Sequence, residues 1–295
     1  MLFLLLPAVT SALPSSAPFP IPRAVAACPT IASALLPNNY SLSSFDSPRL
    51  FPFSSLSVKA SDQKWSQILD FPPSYPYSRF DGREFKGVTV SINDSSVVKR
   101  SDKVEMVKRA GLVVEVLENR RGKGRMAFHW SVQQDLTKML NLTHEYVNVW
   151  YGGLGVEDEE MAWSVRQGWV LGSGETGGTK ERRERWHVLN AKGEEVWGQE
   201  IMWRGWQNFA VTMDFDMNTL QIFYSVGEAP LVPVTSVTLN KNTVSNGHFQ
   251  LGIAKKPTET KTGIFDGYQE HLTRKEAQTF GGIFVEDNTR DCISL

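Results

Sequence analysis

Between Asn208 and Ser225 the chain alternates with a period of two. Phe209, Val211, Met213 and Phe215 point one way, Asp216-Met217-Asn218 supplies polar turn residues, and Leu220, Ile222 and Tyr224 return on the same alternation. Successive side chains on a strand point to opposite faces, so this spacing predicts an antiparallel hairpin with one buried face. The same period recurs at Val88, Val90 and Ile92, and at Met126, Phe128, Trp130 and Val132 around His129. From about Gly87 onward no long amphipathic helix interrupts these runs, and there is no internal repeat. Antiparallel strands joined by long loops predict an all-β fold, a β-sandwich of the jelly-roll type.

Ahead of the strands, residues 13–60 are rich in Pro, Ser and Ala and carry little periodic signal. The reading is a signal peptide over 1–17, an irregular N-terminal extension packing on the core over 18–60, and one β domain over 61–295. Met1 to Val9 is an apolar run followed by the small residues Ala12 and Ala17, as in a secretory signal, although the usual positive start is missing. The expected location is extracellular. No later apolar run reaches the length of a membrane span, so no membrane partner is expected. In a secreted chain Cys28 and Cys292 read as one disulfide closing the domain, the alternative being two thiols. Neither cysteine has a second ligand at metal-site spacing, and no metal or other cofactor is expected. Sequons at Asn39, Asn93 and Asn141 agree with secretion.

A net charge of -1 argues against a polyanionic partner, which excludes nucleic acid, and a monomer is expected. Glu157-Asp158-Glu159-Glu160 and Lys180 to Arg185 read as solvated loops. The Gly-rich run at 172–178 lacks the Lys-Ser/Thr ending of a phosphate cradle. Trp163, Trp169, Trp186, Trp197, Trp203 and Trp206 sit in or near loops. Such rings stack on sugars, although a Trp on an alternating strand is more often core.

The stretch Asn141-Leu142-Thr143-His144-Glu145-Tyr146 sets a carboxylate where an apolar strand begins, a placement that suits carbohydrate chemistry. Several longer motifs agree with it: Trp65 to Leu69 followed by Phe71-Pro72, Trp206 to Phe215, Gly252 to Pro257, Gly267 to Glu270, Gly281 to Asp287 and the ending Cys292-Ile293-Ser294-Leu295. Together they resemble fungal glycoside hydrolase family 131 over roughly residues 28–295. The resemblance implies a secreted β-jelly roll acting on β-1,3-, β-1,4- or β-1,6-glucan, as polysaccharide or oligosaccharide.

It also implies a site. Glu145 matches the second family glutamate, Arg109 the arginine that orients or stabilises charge, and Asp81, in Phe80-Asp81-Gly82, an aspartate lining the same cleft and binding sugar hydroxyls. The first family glutamate belongs in Arg-Arg-Ala-Glu-Leu, but Lys108-Arg109-Ala110-Gly111-Leu112 puts Gly111 there. The family histidine position falls on Gln250, with His248 two residues earlier on the same strand face as a substitute, and the histidine of a Trp-His-Asn-Phe variant is Gln207. His144 has the strand parity opposite to Glu145 and reads as structural.

Glycoside hydrolysis ordinarily needs two carboxyl groups, roughly 6.5 to 9.5 Å apart in inverting enzymes. Glu115 lies about 13 Å along the strand from Gly111, too far to replace a side chain there. Glu105 returns only if the chain loops back, and Glu270 is a candidate from another loop. Two classes stay open: a β-glucan hydrolase with a rearranged site, and a degenerate, lectin-like relative that binds glycan without cutting it. A lyase is less well supported, because Arg109 is the one cationic partner in view for its base.

Overall fold

The computed structural model describes residues 28–73, 76–100, 103–171, 179–241, 244 and 246–295. The signal peptide read over 1–17 lies outside the described residues, as does the Gly-rich run at 172–178.

Two antiparallel sheets make a β-sandwich of the jelly-roll type. Across one sheet run Val232–Pro233, Thr219–Val226, Gln207–Asp214, Arg125–Gln134, Glu276–Asp287, Val88–Ile92 and Leu69–Asp70, with Thr30–Ser33 beside Glu276–Asp287 and Thr238–Leu239 beside Thr219–Val226. Across the other run Glu195–Glu200, Arg185–Asn190, Met161–Gly168, Glu145–Gly152, His248–Lys255, Lys103–Val113 and Val97–Arg100. We call these the nine-stranded and the seven-stranded sheet. Spatial neighbours such as Glu145–Gly152 and His248–Lys255 are far apart in sequence, as long crossing connections require.

The alternating hairpin forms in the expected register, with Val211 opposite Ile222 and Met213 opposite Leu220. Its turn is held by Asp214 Oδ1, which accepts from the amides of Asp216 and Met217 at 3.0 and 2.8 Å. Phe209, Val211, Met213, Leu220 and Ile222 bury with Val88, Phe128 and Trp130 against Leu112, Val149, Trp163 and Phe249 of the opposite sheet. Trp130 stacks on both Phe209 and Trp163, with centroids 5.3 and 5.8 Å away, which joins the two sheets through aromatic faces. Trp163, Trp186 and Trp206 are buried, so those three rings serve packing.

The N-terminal segment does more than wrap. Thr30–Ser33 pairs with Glu276–Asp287, Leu36–Pro37 with Phe85–Lys86, and Ala32, Leu36, Phe45 and Phe53 enter the main core. Cys28 and Cys292 are joined by a disulfide across 264 residues of sequence. Lys180–Arg183, expected as part of a loop, is one turn of helix, with Thr179 Oγ1 accepting from the Arg182 amide at 3.4 Å, because a threonine oxygen satisfies an otherwise unpaired first-turn donor. No helix among the described residues is long and apolar enough to cross a membrane.

The disulfide stabilises chiefly by restricting the unfolded chain, and its loop here is nearly the whole domain. The Cys28→Ala/Cys292→Ala double variant is expected to lose about 2–5 kcal/mol in denaturant unfolding while keeping the β circular-dichroism signature.

Candidate functional site

Strand Glu145–Gly152 carries one irregularity that decides what Glu145 faces. Val165 pairs with Val149 while Arg166 pairs with Val147, so Asn148 is an extra residue, a β-bulge. Tyr146, Val149 and Tyr151 enter the inter-sheet core, whereas Val147 and Trp150 join a second cluster on the outer face of the seven-stranded sheet. Unbroken alternation would set Glu145 on the core side with Val149 and Tyr151. The bulge turns Glu145 outward.

There Glu145 is 1% exposed and surrounded by donors. Arg166 Nη1 donates to its Oε1, Lys256 Nζ lies 3.2 Å from the same atom, and the Leu171 amide donates to Oε2. Both cations also reach Asp158 Oδ1, at 2.8 Å from Arg166 Nη2 and 2.7 Å from Lys256 Nζ. Ser164 Oγ accepts from Arg166 Nε at 2.8 Å and fixes the guanidinium. Burial alone would raise the Asp158 pKa, but the charges of Arg166 and Lys256 outweigh it and hold the carboxyl down at about 2. Two carboxylates and two cations thus form a neutral cluster at one end of the outer face. A cavity of about 400 Å³ beside it is lined by Asp158, Arg166, Leu171, Arg182, Lys192 and Glu195.

The rest of that face is closed. Gly111 points outward between Ala110 and Leu112, and a Cβ built on it would lie 3.4 Å from Trp150 Cη2. A Cβ at 111 would thus sit in ordinary van der Waals contact with the indole, which borders this position. Val156 and Ile264, from the two loops above, pack with Val107, Val147 and Trp150. Arg109 Nη2 donates to Leu154 O at 2.8 Å, and Gln250 Nε2 donates to Gly153 O at 2.6 Å. Two expected site residues thus hold down the roof, and both are buried.

Other expected residues are not brought to Glu145. His248 pairs with Gly152, at the far end of the Glu145 strand, about 20 Å away at the rise of a β-strand. Burial and the nearby Arg121 lower its pKa, with Glu115 opposing. Asp81 lies in a turn packed on the opposite sheet, where it accepts from Ser78 Oγ at 2.6 Å and from the Gly282 amide at 2.9 Å. A Cβ on Gly281 would approach Asp81 Oδ2 to 2.3 Å, so glycine there lets the carboxylate close onto the strand. Glu105 is buried on the strand of Arg109, with Oε2 3.7 Å from Arg109 Nε. Glu270 accepts from Lys255 Nζ and, at 3.0 Å to each oxygen, from Asn141 Nδ2. Gln207 accepts from Trp186 Nε1 at 2.9 Å and donates to Glu200 O at 2.9 Å, a packing role. Of the sequons, Asn39 is exposed, Asn93 Oδ1 accepts from Gln63 at 2.9 Å, and the Asn141 amide nitrogen is engaged by Glu270.

Sequence reasoning passed over Arg166 and read Asp158 as part of a solvated loop. The available signal was an arginine in the otherwise apolar and neutral strand Met161–Gly168, since a buried charge requires a partner.

A family model described as the glycoside hydrolase 131 catalytic N-terminal domain matches residues 35–291. The fold is similar to that of a family 131 β-glucanase catalytic domain from Podospora anserina, at 17% identity and TM-score 0.61, covering 81% of this chain and 84% of that one. It is likewise similar to the catalytic domain of a family 131 protein from Coprinopsis cinerea, at 17% identity and TM-score 0.64, covering 88% and 94%. Among curated proteins no sequence matches.

Removing one member of a buried charge cluster leaves the others uncompensated. Arg166→Met is expected to lower unfolding free energy by about 3–5 kcal/mol, measured by denaturant titration. For Asp158 the folded pKa lies below the unfolded value, so its contribution is present above about pH 4 and fades as pH falls toward 2. The stability gap between wild type and Asp158→Asn is expected to close over that window; a gap unchanged down to pH 2 would show that the cations do not hold this carboxylate.

Proposed function

The chain belongs to glycoside hydrolase family 131, and on that premise we propose that it is a secreted protein that holds β-glucan without hydrolysing it. The supporting observation is the state of Glu145, buried and, among the described residues, engaged by donors from Arg166, Lys256 and the Leu171 amide. Hydrolysis asks one carboxyl to deliver a proton to the leaving oxygen and another to act as base or nucleophile. Asp158 is the carboxylate that shares this cluster: it and Glu145 both lie on Lys256 Nζ, at 2.7 and 3.2 Å. Both carboxylates share the same two cations, an arrangement that supports charge balance rather than delivery of a proton to a leaving oxygen. Gly111 offers no carboxyl, and Gln250 offers no titratable group. Secretion is supported by the Cys28–Cys292 disulfide, a bond that persists in oxidising compartments.

The test is incubation with β-1,3-, β-1,4- and β-1,6-glucans, following reducing ends and co-sedimentation with the insoluble polymer. Binding without turnover is expected. Turnover that Glu145→Gln abolishes would overturn the reading in favour of a hydrolase. Gly111→Glu is expected to create no activity and to cost about 2 kcal/mol of stability or more, because it sets a carboxylate on a buried face beside the Trp150 indole.

A further inference from the structure

With the outer face roofed over, a sugar ring needs another surface. We propose that the open end of the sandwich beside Asn141 binds the uncharged, hydroxyl-rich rings of a glucan, with Trp203 as the apolar platform and the Glu270 carboxylate as hydroxyl acceptor, backed by the buried Glu276. The inference rests on the glucan-holding function proposed above and assigns it a place.

A cavity of about 400 Å³ opens there, lined by Asn141, Leu142, Trp203, Glu270, Arg274 and Glu276 among others. It lies at the end of the inter-sheet space, away from the Glu145 cluster, because Tyr146 and the 0% exposed Lys255 beneath it point between the sheets. Trp203 packs part of its ring against the core and remains half-exposed, whereas Trp150 on the closed face is buried. A pyranose carries an apolar face of axial C–H groups, and an indole is the side chain best shaped to meet it.

The acceptor is fixed in advance. Behind it Glu276, buried, receives Lys255 Nζ at 3.0 Å, Tyr146 OH at 2.9 Å and the Asn141 amide at 3.2 Å and so anchors the groups that hold Glu270. Glu270 receives Lys255 Nζ and Asn141 Nδ2. Burial alone would raise the Glu270 pKa, but the hydrogen bonds from Lys255 and Asn141 outweigh it and keep the carboxyl below its usual range. A carboxylate held in this way accepts from vicinal hydroxyls without further ordering, which reduces the entropic cost of binding. Glu184 adds a third carboxylate to the lining, and Arg274 supplies a donor at the rim. That balance suits a neutral polyol and repels an acidic polysaccharide.

The experiment titrates the full-length protein with laminari-, cello- and gentio-oligosaccharides, and with an oligouronate, following intrinsic tryptophan fluorescence and calorimetry. Binding of a neutral oligosaccharide is expected, with none of the oligouronate. Trp203→Ala is expected to weaken it about tenfold or more and to remove the fluorescence change. Arg274→Ala, an exposed position that leaves the fold intact, is expected to weaken it several-fold. Equal affinity of both variants, each folded by circular dichroism, overturns the proposal. If those variants also still co-sediment with insoluble glucan, the glucan-holding function stands and resides elsewhere. A wild type that binds neither soluble nor insoluble glucan overturns both.

Discussion

Four charges gathered at one end of the seven-stranded sheet, three of them buried and Asp158 reaching solvent, shape what the rest of that sheet can do. Glu145, Arg166 and Lys256 come from three neighbouring segments of the sheet, and Asp158 comes from the loop that crosses above them. A buried ion needs compensation, so the loop has to come down for the cations to be balanced. Once it does, Val156 meets Trp150 and Val147, and the carbonyls of Gly153 and Leu154 accept from Gln250 and Arg109. Charge pairing at one end and apolar contacts along the rest thus close the outer face together.

The six residues 141–146 divide the molecule's polar chemistry. Glu145 turns outward into the ion cluster, Tyr146 turns inward beneath Glu276, and Asn141 reaches the cavity at the end of the sandwich. His144 joins the two regions, with Nδ1 2.9 Å from Lys256 O and Nε2 3.8 Å from Glu270. Closure of one surface and openness of the other sit one strand-end apart, on the same short segment.

How much of this could be read in advance depended on whether a feature was local. The hairpin at Phe209 to Tyr224 was legible because side-chain period and turn chemistry are properties of adjacent residues. The absence of a glutamate at Gly111 was legible from its motif. The face taken by Glu145 was not, since a bulge at Asn148 inverts the alternation and nothing in the local pattern announces it. Asp81 and His248 looked like companions of Glu145 because motifs fix residue types but not distances. The structure sets Asp81 in a turn packed on the opposite sheet and His248 at the far end of the strand.

By itself, the sequence determined the class of fold, the hairpin at Phe209 to Tyr224 and the lack of a glutamate at position 111, because each follows from side-chain type and spacing along the chain. Only the tertiary structure decided that Cys28 and Cys292 would be joined, that Arg166 and Asp158 would surround Glu145, that Trp150 would lie against Gly111, and that Trp203 would face an open cavity. Those outcomes depend on which distant segments are brought together, and pairing across the sheets is settled by packing and charge compensation acting over the whole core.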